Sequence, residues 1–454
     1  MQLPNGPKTP RWLRMVKLTT RPLDYLEDYY QRYGDFIWIG GGARPAIYLC
    51  HPEAVQAVFN APPGQFQMNR GGGQVLEMLL GDYSLLLLDG DRHQRQRKLL
   101  MPPFQGERLR TYSQLIVQIT QTVMAQTPQN TPVPVRAVTQ DITLNVILNL
   151  VFGLNQGQRY DQLKKLLSTL LDLIGSPLGA ALIFFPQLQK DWGGWSPWGQ
   201  FIRQKQQVDT LIYQEIQERR QQPESSGNDI LSLLLAARDE AGQPMTPQEL
   251  RDELITLLVA GHETTASALA WGIYWVNHLP EVGEKLRQEW VRLDGSSDLE
   301  AINRLPYLTA VCQEILRIYP IALMTGVRRL TAPLQVMQYQ FEAGTVLFPS
   351  VYLVHQRQDL YPNPKQFRPE RFLERQFSPA EYLPFGGGHR RCIGSALAMM
   401  EMKLVLATLF THWNLSLTDS RPLKPVRRGL TIAPPSSLKM VVQARTEVIS
   451  NLMG

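Results

Sequence analysis

Near its C-terminal end the chain reads Phe385-Gly386-Gly387-Gly388-His389-Arg390-Arg391-Cys392-Ile393-Gly394, and a helical run from Ser395 follows at once. A cysteine at the mouth of a helix, beside Arg390 and Arg391, is favoured as a thiolate. Free amides, the helix dipole and guanidinium charge all stabilise an anion there. The three glycines ahead of it let the backbone approach something flat and large with no side chains between. A lone thiolate on such a loop suits a haem iron ligand. A zinc or iron–sulfur centre would lack partners, because the other cysteines, Cys50 and Cys312, are far away in sequence. Two plainer readings compete. A Gly-rich turn can cradle phosphate, but no Gly-Lys-Ser/Thr follows. A single cysteine before a helix is more often a small buried hydrophobe.

A second group of chemical residues lies inside a long helical pattern. Thr246-Pro247-Gln248-Glu249 combines a capping threonine, a proline suited to the first helical position and a glutamate that can close a capping box. No proline follows until Pro280, so one helix should run from Thr246 to His278. Its second half is apolar nearly all round and belongs in the core. Its middle, Ala260-Gly261-His262-Glu263-Thr264-Thr265, puts a glycine, a carboxylate and two threonines at the centre of that helix. Such a break in local preference marks either a functional site or a bent structural helix with Glu263 in an internal ion pair.

Two further pairs sit at helical spacing. His93 and Arg97 are four apart and share a face, and both can donate to a carboxylate. Glu-x-x-Arg occurs four times, starting at Glu107, Glu284, Glu289 and Glu314. Only Glu314 and Arg317 lie on an apolar helix, closed by Pro320, so only that pair is expected to be buried.

The elements that must position these residues fill most of the chain. Its 454 residues are 44% hydrophobic and 19% charged, with a net charge of +6, a globular composition without the basic excess of a nucleic-acid binder. The sparse, odd cysteine count excludes a disulfide scaffold and fits a reducing compartment. No signal-peptide core opens the chain, and no run approaches the roughly 18 apolar residues of a spanning helix, so no integral membrane anchor is expected. Residues 4–22 read as an irregular N-terminal segment, and Phe36–Leu49 as two short strands broken by glycines. From Asp91 to Trp290 the period is helical. Short strands return between Val327 and Leu347, and the tail from Trp413 reads as a hairpin. The expected fold class is mainly α: a single large helical domain with small β-sheets and a long central helix. An N-terminal segment with the first strands (1–48) precedes the main body (49–454).

Phe385, Gly388, Arg390, Cys392 and Gly394 match the haem-binding signature of the cytochrome P450 family at every fixed position. Other marks follow in order. Glu314-Ile315-Leu316-Arg317 resembles the family's Glu-x-x-Arg helix, Pro369-Glu370-Arg371-Phe372 its Pro-Glu-Arg-Phe segment, Ala260–Thr265 its oxygen-activation helix, and His93–Arg97 its haem-propionate helix. The resemblance covers the chain from about Leu49 onward. It also extends to bacterial members that act on fatty acids and related lipids.

The resemblance implies a haem-thiolate monooxygenase with haem b (iron protoporphyrin IX) as cofactor. Cys392 would be the iron ligand. His93, Arg97, Arg328, Phe385, Gly388, Arg390 and Gly394 would bind the cofactor, with Arg329 an alternative to Arg328. Glu263 and Thr264 would be catalytic, handling dioxygen and protons. Glu314, Arg317 and Arg371 would form a structural triad. With no nucleotide- or flavin-binding segment of its own, the chain would take electrons from a ferredoxin with its reductase, docked on Arg92, Arg95, Lys98 and Arg391. The substrate would be a hydrophobic small molecule (fatty acid, alkane or terpenoid). Leu257, Leu258, residues 71–85, Ala322–Thr325 and Thr431–Pro434 would line its cavity. A bacterial cytoplasmic location is expected, with Trp192, Trp195 and Trp198 read as a packed loop or as an entrance touching a membrane surface. The competing functions are a haem-thiolate isomerase or peroxygenase, and a haem-based sensor.

Overall fold

The computed structural model describes residues 3–40, 45–68, 74–176, 179, 182, 186–221, 227–291 and 298–444. The helix Pro247–His278 runs through the middle, 32 residues and about 48 Å long at 1.5 Å per residue. Its start is the capping box that the sequence predicts: Glu249 N–H donates to Thr246 Oγ1 at 3.1 Å, and Thr246 N–H donates to Glu249 Oε2 at 2.7 Å. The helix is buried from Arg251 to Leu258 and again from Thr265 to Val276. Between these it is partly open at Val259–Gly261, Glu263 and Thr264, with His262 still buried, in the stretch that breaks the local rules. Helices Val135–Phe152, Pro197–Gln221, Pro306–Ile318 and Ser395–His412 pack around it. Val135–Phe152 is long and apolar enough to cross a membrane, but it is mostly buried and packs against the long helix as a core element.

The largest sheet has five strands in the order Phe36–Trp38, Ala46–Leu49, Val346–Pro349, Arg328–Leu330 and Phe66–Met68. Ala46–Leu49 runs parallel to Val346–Pro349, which ties the first strands to the C-terminal half. The tail is a nested arrangement rather than a simple hairpin. Trp413–Leu417 pairs antiparallel with Lys439–Ala444, and the hairpin Val426–Arg428/Thr431–Ala433 is inserted between them.

The N-terminal segment corrects the sequence reading. Arg11–Thr20 is a helix, followed by Pro22–Tyr33. Prolines at 4, 7 and 10 mask it in the sequence. What holds it is tertiary: buried Arg14 donates to the carbonyls of Ile39 (3.1 Å) and Gly40 (2.8 Å), and Leu18 packs with Tyr25, Leu26 and Ile432. Arg70, the glycines at 71–73 and most of the apolar run 178–185 lie outside the described residues.

Under the Cys392 loop lies an ion triad. Glu314 takes Arg317 Nε at 2.6 Å and Nη2 at 2.9 Å, and Arg371 Nε at 3.1 Å, with all three side chains essentially fully buried. Arg317 also donates to the His355 carbonyl at 2.9 Å. His355 Nε2 accepts from the Leu383 N–H at 3.0 Å, so its proton sits on Nδ1, which donates to the Arg317 carbonyl at 3.2 Å. Burial, followed by the Arg317 charge, pushes the imidazole pKa down to about 3, which keeps the ring neutral. Removing the carboxylate would leave two buried guanidiniums uncompensated. Glu314→Ala is therefore expected to lose about 3–5 kcal/mol. Thermal unfolding and haem content after purification check this, and a normally stable, fully loaded variant would contradict the triad.

Candidate functional site

A cavity of about 460 Å³ lies between the long helix and the cysteine loop. Cys392, Phe385, Gly386, Gly387 and Gly394 border it from the loop, and Ala260, Gly261 and Thr264 border it from the helix. The loop is held by its own hydrogen bonds: Cys392 N–H donates to the Phe385 carbonyl at 3.0 Å, and Gly386 N–H to the Leu383 carbonyl at 3.0 Å. The thiol's accessible surface faces this cavity, with dense protein on its other sides. Burial therefore pushes its pKa up, against the pull of the Gly394 amide, Arg97 and Arg391. The sequence argument for a depressed pKa left out this desolvation, and it counted on Arg390. Arg390 is turned instead to Asp89 at 2.7 Å and to the carbonyls of Leu85 and Leu88. A bound metal cation is what would set this thiol as thiolate.

The glycines divide by role. Gly388 does not border the cavity. Its φ of +62° and the Phe59 carbonyl, 2.6 Å from where a Cβ would stand, make it a packing glycine against the helix Pro52–Asn60. Gly394 would meet nothing within 4 Å and stands open at the cavity wall, room that a planar group could fill. Gly261 lets Ile147 approach: a Cβ there would come within 2.9 Å of Ile147 Cδ1, so close helix packing accounts for that glycine.

At one edge of the cavity, His93, Arg97 and Arg328 come together. Arg328 is buried and donates to the Gly326 carbonyl at 2.8 Å and weakly to Met68 Sδ. Arg329 turns out to bond Gln67, which separates the two arginines. Among the described residues, neither Arg97 nor Arg328 meets a carboxylate. Asp89, the nearby acid, is taken by Arg390 and by the Met68 amide. Burial first, then Arg390, pulls Arg328 down to about 10 and His93 to about 3. His389 is held at about 4 by burial and Arg328. A buried, unmatched positive edge beside a thiol-bearing wall fits the two propionates and the iron of haem.

Thr264 and Glu263, adjacent in sequence, face different ways. Thr264 borders the cavity and donates its hydroxyl proton to the Ala260 carbonyl at 2.6 Å. Glu263 does not border it. It pairs with Arg136 and accepts from Gln140 Nε2 at 2.7 Å, both on the neighbouring helix Val135–Phe152. Burial would raise its pKa, but Arg136, His262 and Arg428 outweigh that and hold it below the usual range. Here the ion-pair reading of Glu263 describes the geometry, and Arg136 is the partner that sequence did not single out.

Several other expectations are corrected. Leu257 borders the cavity but Leu258, one step round the helix, faces the core. Thr431–Pro434 is not in the wall, because Ile432 packs with the N-terminal helices. Arg95 is held by Asp239 and Glu249, while Lys98 meets Glu240 in a solvent-exposed pair. The tryptophans split: Trp198 is buried and stacks on Phe201, while Trp192 and Trp195 are exposed. Two buried acids at the cavity, Glu253 and Glu401, were missed. Glu253 is legible in retrospect, since it shares the helix face of Leu257, Ala260 and Thr264.

The family described as Cytochrome P450 matches this chain over residues 4–441. A Mycobacterium tuberculosis protein named cytochrome P450 135B1 is 34% identical over 450 residues, covering 99% of this chain and 93% of its own length. Another from the same organism, named cytochrome P450 135A1, is 31% identical over 98% of this chain and 96% of its own. The solved structure of retinoic acid bound cyanobacterial CYP120A1 superposes with a TM-score of 0.85 at 26% identity, covering 98% of this chain and all of that one.

Two pairs of substitutions test the assignments of the wall. Arg328→Leu should lower haem retention on gel filtration several-fold, and Arg329→Leu should leave it unchanged. Cys392→Ala should abolish the red-displaced absorbance of the reduced, CO-bound protein, while Cys312→Ala keeps it. Loss of that band in Cys312→Ala alone would put the ligand elsewhere.

Proposed function

The chain belongs to the cytochrome P450 family, and from that premise we propose the roles of its residues and the class of its substrate. Family and fold make it a haem-dependent monooxygenase that takes a small-molecule substrate, dioxygen and electrons from a redox partner. When bound, thiolate-ligated haem supplies dioxygen activation and the oxidising power for insertion into a C–H bond. The observation that carries the site assignment is that the Cys392 thiol, the Thr264 hydroxyl and the unmatched Arg97 and Arg328 all border one cavity.

In this reading Cys392 holds the iron, and His93, Arg97 and Arg328 hold the propionates, with His93 acting as a neutral N–H donor. Phe385, Gly386, Gly387 and Gly394 form the wall beside the thiolate. Arg390 borders the cavity beside them and, paired with Asp89 and the carbonyls of Leu85 and Leu88, also fixes residues 85–89 against the loop. Thr264 exchanges the bond to the Ala260 carbonyl for one donated to dioxygen, while its oxygen accepts from an ordered water. Glu263 supplies protons from the far side of the helix. Arg428, 3.8 Å from Glu263 and 3.0 Å from exposed Asp172, adds positive charge beside the carboxylate. The carboxylate must turn from Arg136 to pass a proton forward.

The rest of the wall is mostly apolar, including Leu86, Val146, Leu150 and Met324. It suits a hydrophobic, lipid-like substrate: a fatty acid, alkane or terpenoid. The similar cyanobacterial protein is described with retinoic acid bound, a lipid-like acid. The electron donor is proposed to be a ferredoxin with its reductase. Its docking face narrows to Arg92, which lies over Tyr83, and exposed Arg391, since Arg95 and Lys98 are already paired.

Thr264→Ala should keep the helix, because alanine is the better helix former. NADPH consumption in the reconstituted system should continue while hydroxylated product falls and hydrogen peroxide rises. Thr265→Ala should be milder, because Thr265 lies about 100° further round the helix. Poor coupling in Thr265→Ala with normal coupling in Thr264→Ala would reverse the assignment. Reduction by ferredoxin should slow as ionic strength rises, and a salt-independent rate would remove the docking face.

A further inference from the structure

We propose that Glu253 determines specificity in this cavity, as a neutral carboxylic acid in the wall that hydrogen-bonds a hydroxyl group at one end of an otherwise apolar substrate. The inference rests on the monooxygenase reading above and narrows its substrate class.

Glu253 is fully buried on the long helix and borders the cavity along the line of Thr256, Leu257, Ala260 and Thr264. Neither carboxyl oxygen completes a hydrogen bond. The Leu85 amide and the Gln96 carboxamide stand close by, and Gln96 Nε2 is itself unpartnered. The charged neighbours are committed elsewhere: Arg251 pairs with Asp252 at 2.8 Å, and Arg95 with Glu249 at 2.7 Å. Among the described residues no cation pairs with the Glu253 carboxyl. Burial, reinforced by Asp252 and Glu249, drives the Glu253 pKa well above the ordinary range. The group is therefore the acid, with one O–H to donate and one carbonyl oxygen to accept.

A buried group of this kind needs a partner of the same two-sided character. A hydroxyl reciprocates both bonds. The carboxylate of a fatty acid can only accept, and its charge would be disfavoured beside Asp252 and Glu249, which already act on Glu253. An alkane leaves both oxygens unsatisfied. Position adds a second constraint. Glu253 precedes Ala260 by about 10 Å and Thr264 by about 16 Å along the helix axis. A molecule anchored by its hydroxyl at Glu253 therefore offers a carbon remote from that hydroxyl to the Thr264 end of the cavity.

The test is equilibrium titration of the holoenzyme, read by the haem absorbance shift, with 1-dodecanol, n-dodecane and laurate. Wild type, Glu253→Gln and Glu253→Leu are compared. The wild type should bind the alcohol about tenfold more tightly than the alkane, the gain of one net hydrogen bond. Glu253→Gln, which keeps a donor and an acceptor, should preserve that preference. Glu253→Leu should abolish it while binding the alkane at least as well, which also shows an intact cavity. Independently, difference infrared spectroscopy should show a protonated carboxyl band that shifts on adding dodecanol and is missing from Glu253→Gln. An unchanged alcohol-to-alkane ratio in Glu253→Leu, or a wild type that prefers laurate, overturns the role of Glu253 and leaves the monooxygenase reading standing. Failure of the wild type to bind any of the three would sink the lipid-like substrate class together with this inference.

Discussion

The constraint on which the site depends is the burial of one carboxylate between two guanidiniums. Glu314 Oε1 accepts from Arg317, Arg371 and the Arg368 amide, and Oε2 accepts from Arg317, so its lone pairs are fully used in a dry interior. From Arg317 the order passes to His355 and from His355 to the Leu383 amide. Leu383 in turn takes the Gly386 amide that begins the cysteine loop. A buried ion triad is weak evidence for net stability. Its effect here is positional, because the buried carboxylate fixes both guanidiniums, which in turn bond the carbonyls of His355, Pro362 and Gln366. The reach of that arrangement ends one hydrogen bond short of the thiol.

The cavity shows the converse situation, in which polar groups are left unsatisfied. Among the described residues Arg97 and Arg328 meet no carboxylate, Glu253 completes no hydrogen bond and Glu401 has an unpartnered oxygen; burial pushes the pKa of Glu401 up to about 8. Elsewhere the protein pairs buried charges closely, as in Arg251 with Asp209 and Asp252. Unpaired groups gathered around one space are suited to ligands that would supply the missing partners: in the proposed reading, a dianion at the arginine edge and a hydroxyl at the Glu253 end.

The long helix serves both situations. Its side toward Val135–Phe152 carries His262 and Glu263, satisfied by Thr143, Arg136 and Gln140. Its side toward the cavity carries Glu253, Ala260 and Thr264. Adjacent residues thus have different tasks because consecutive side chains point about 100° apart. Gly261 allows the partner helix to come close enough for the Arg136 pair to form.

Much of this was legible in the sequence because the signals are local. The capping box of the long helix, the cysteine at a helix mouth and the spacing of Glu314 with Arg317 depend on residues within a few positions of one another. Their structures follow from helix geometry and hydrogen-bond chemistry. The helix Arg11–Thr20 was not legible, because its anchor is Arg14 reaching carbonyls at Ile39 and Gly40. Only the tertiary structure decided that Arg390 serves Asp89, that Arg328 rather than Arg329 faces the cavity, that Glu263 answers to Arg136, and that Gly388 packs on Phe59. The thiol's pKa belongs to the same class: helix dipole and arginines can be read from sequence, but the desolvation that outweighs them cannot. The sequence determined which groups could do the chemistry; the packing of distant segments determined which way each one points and how dry it is.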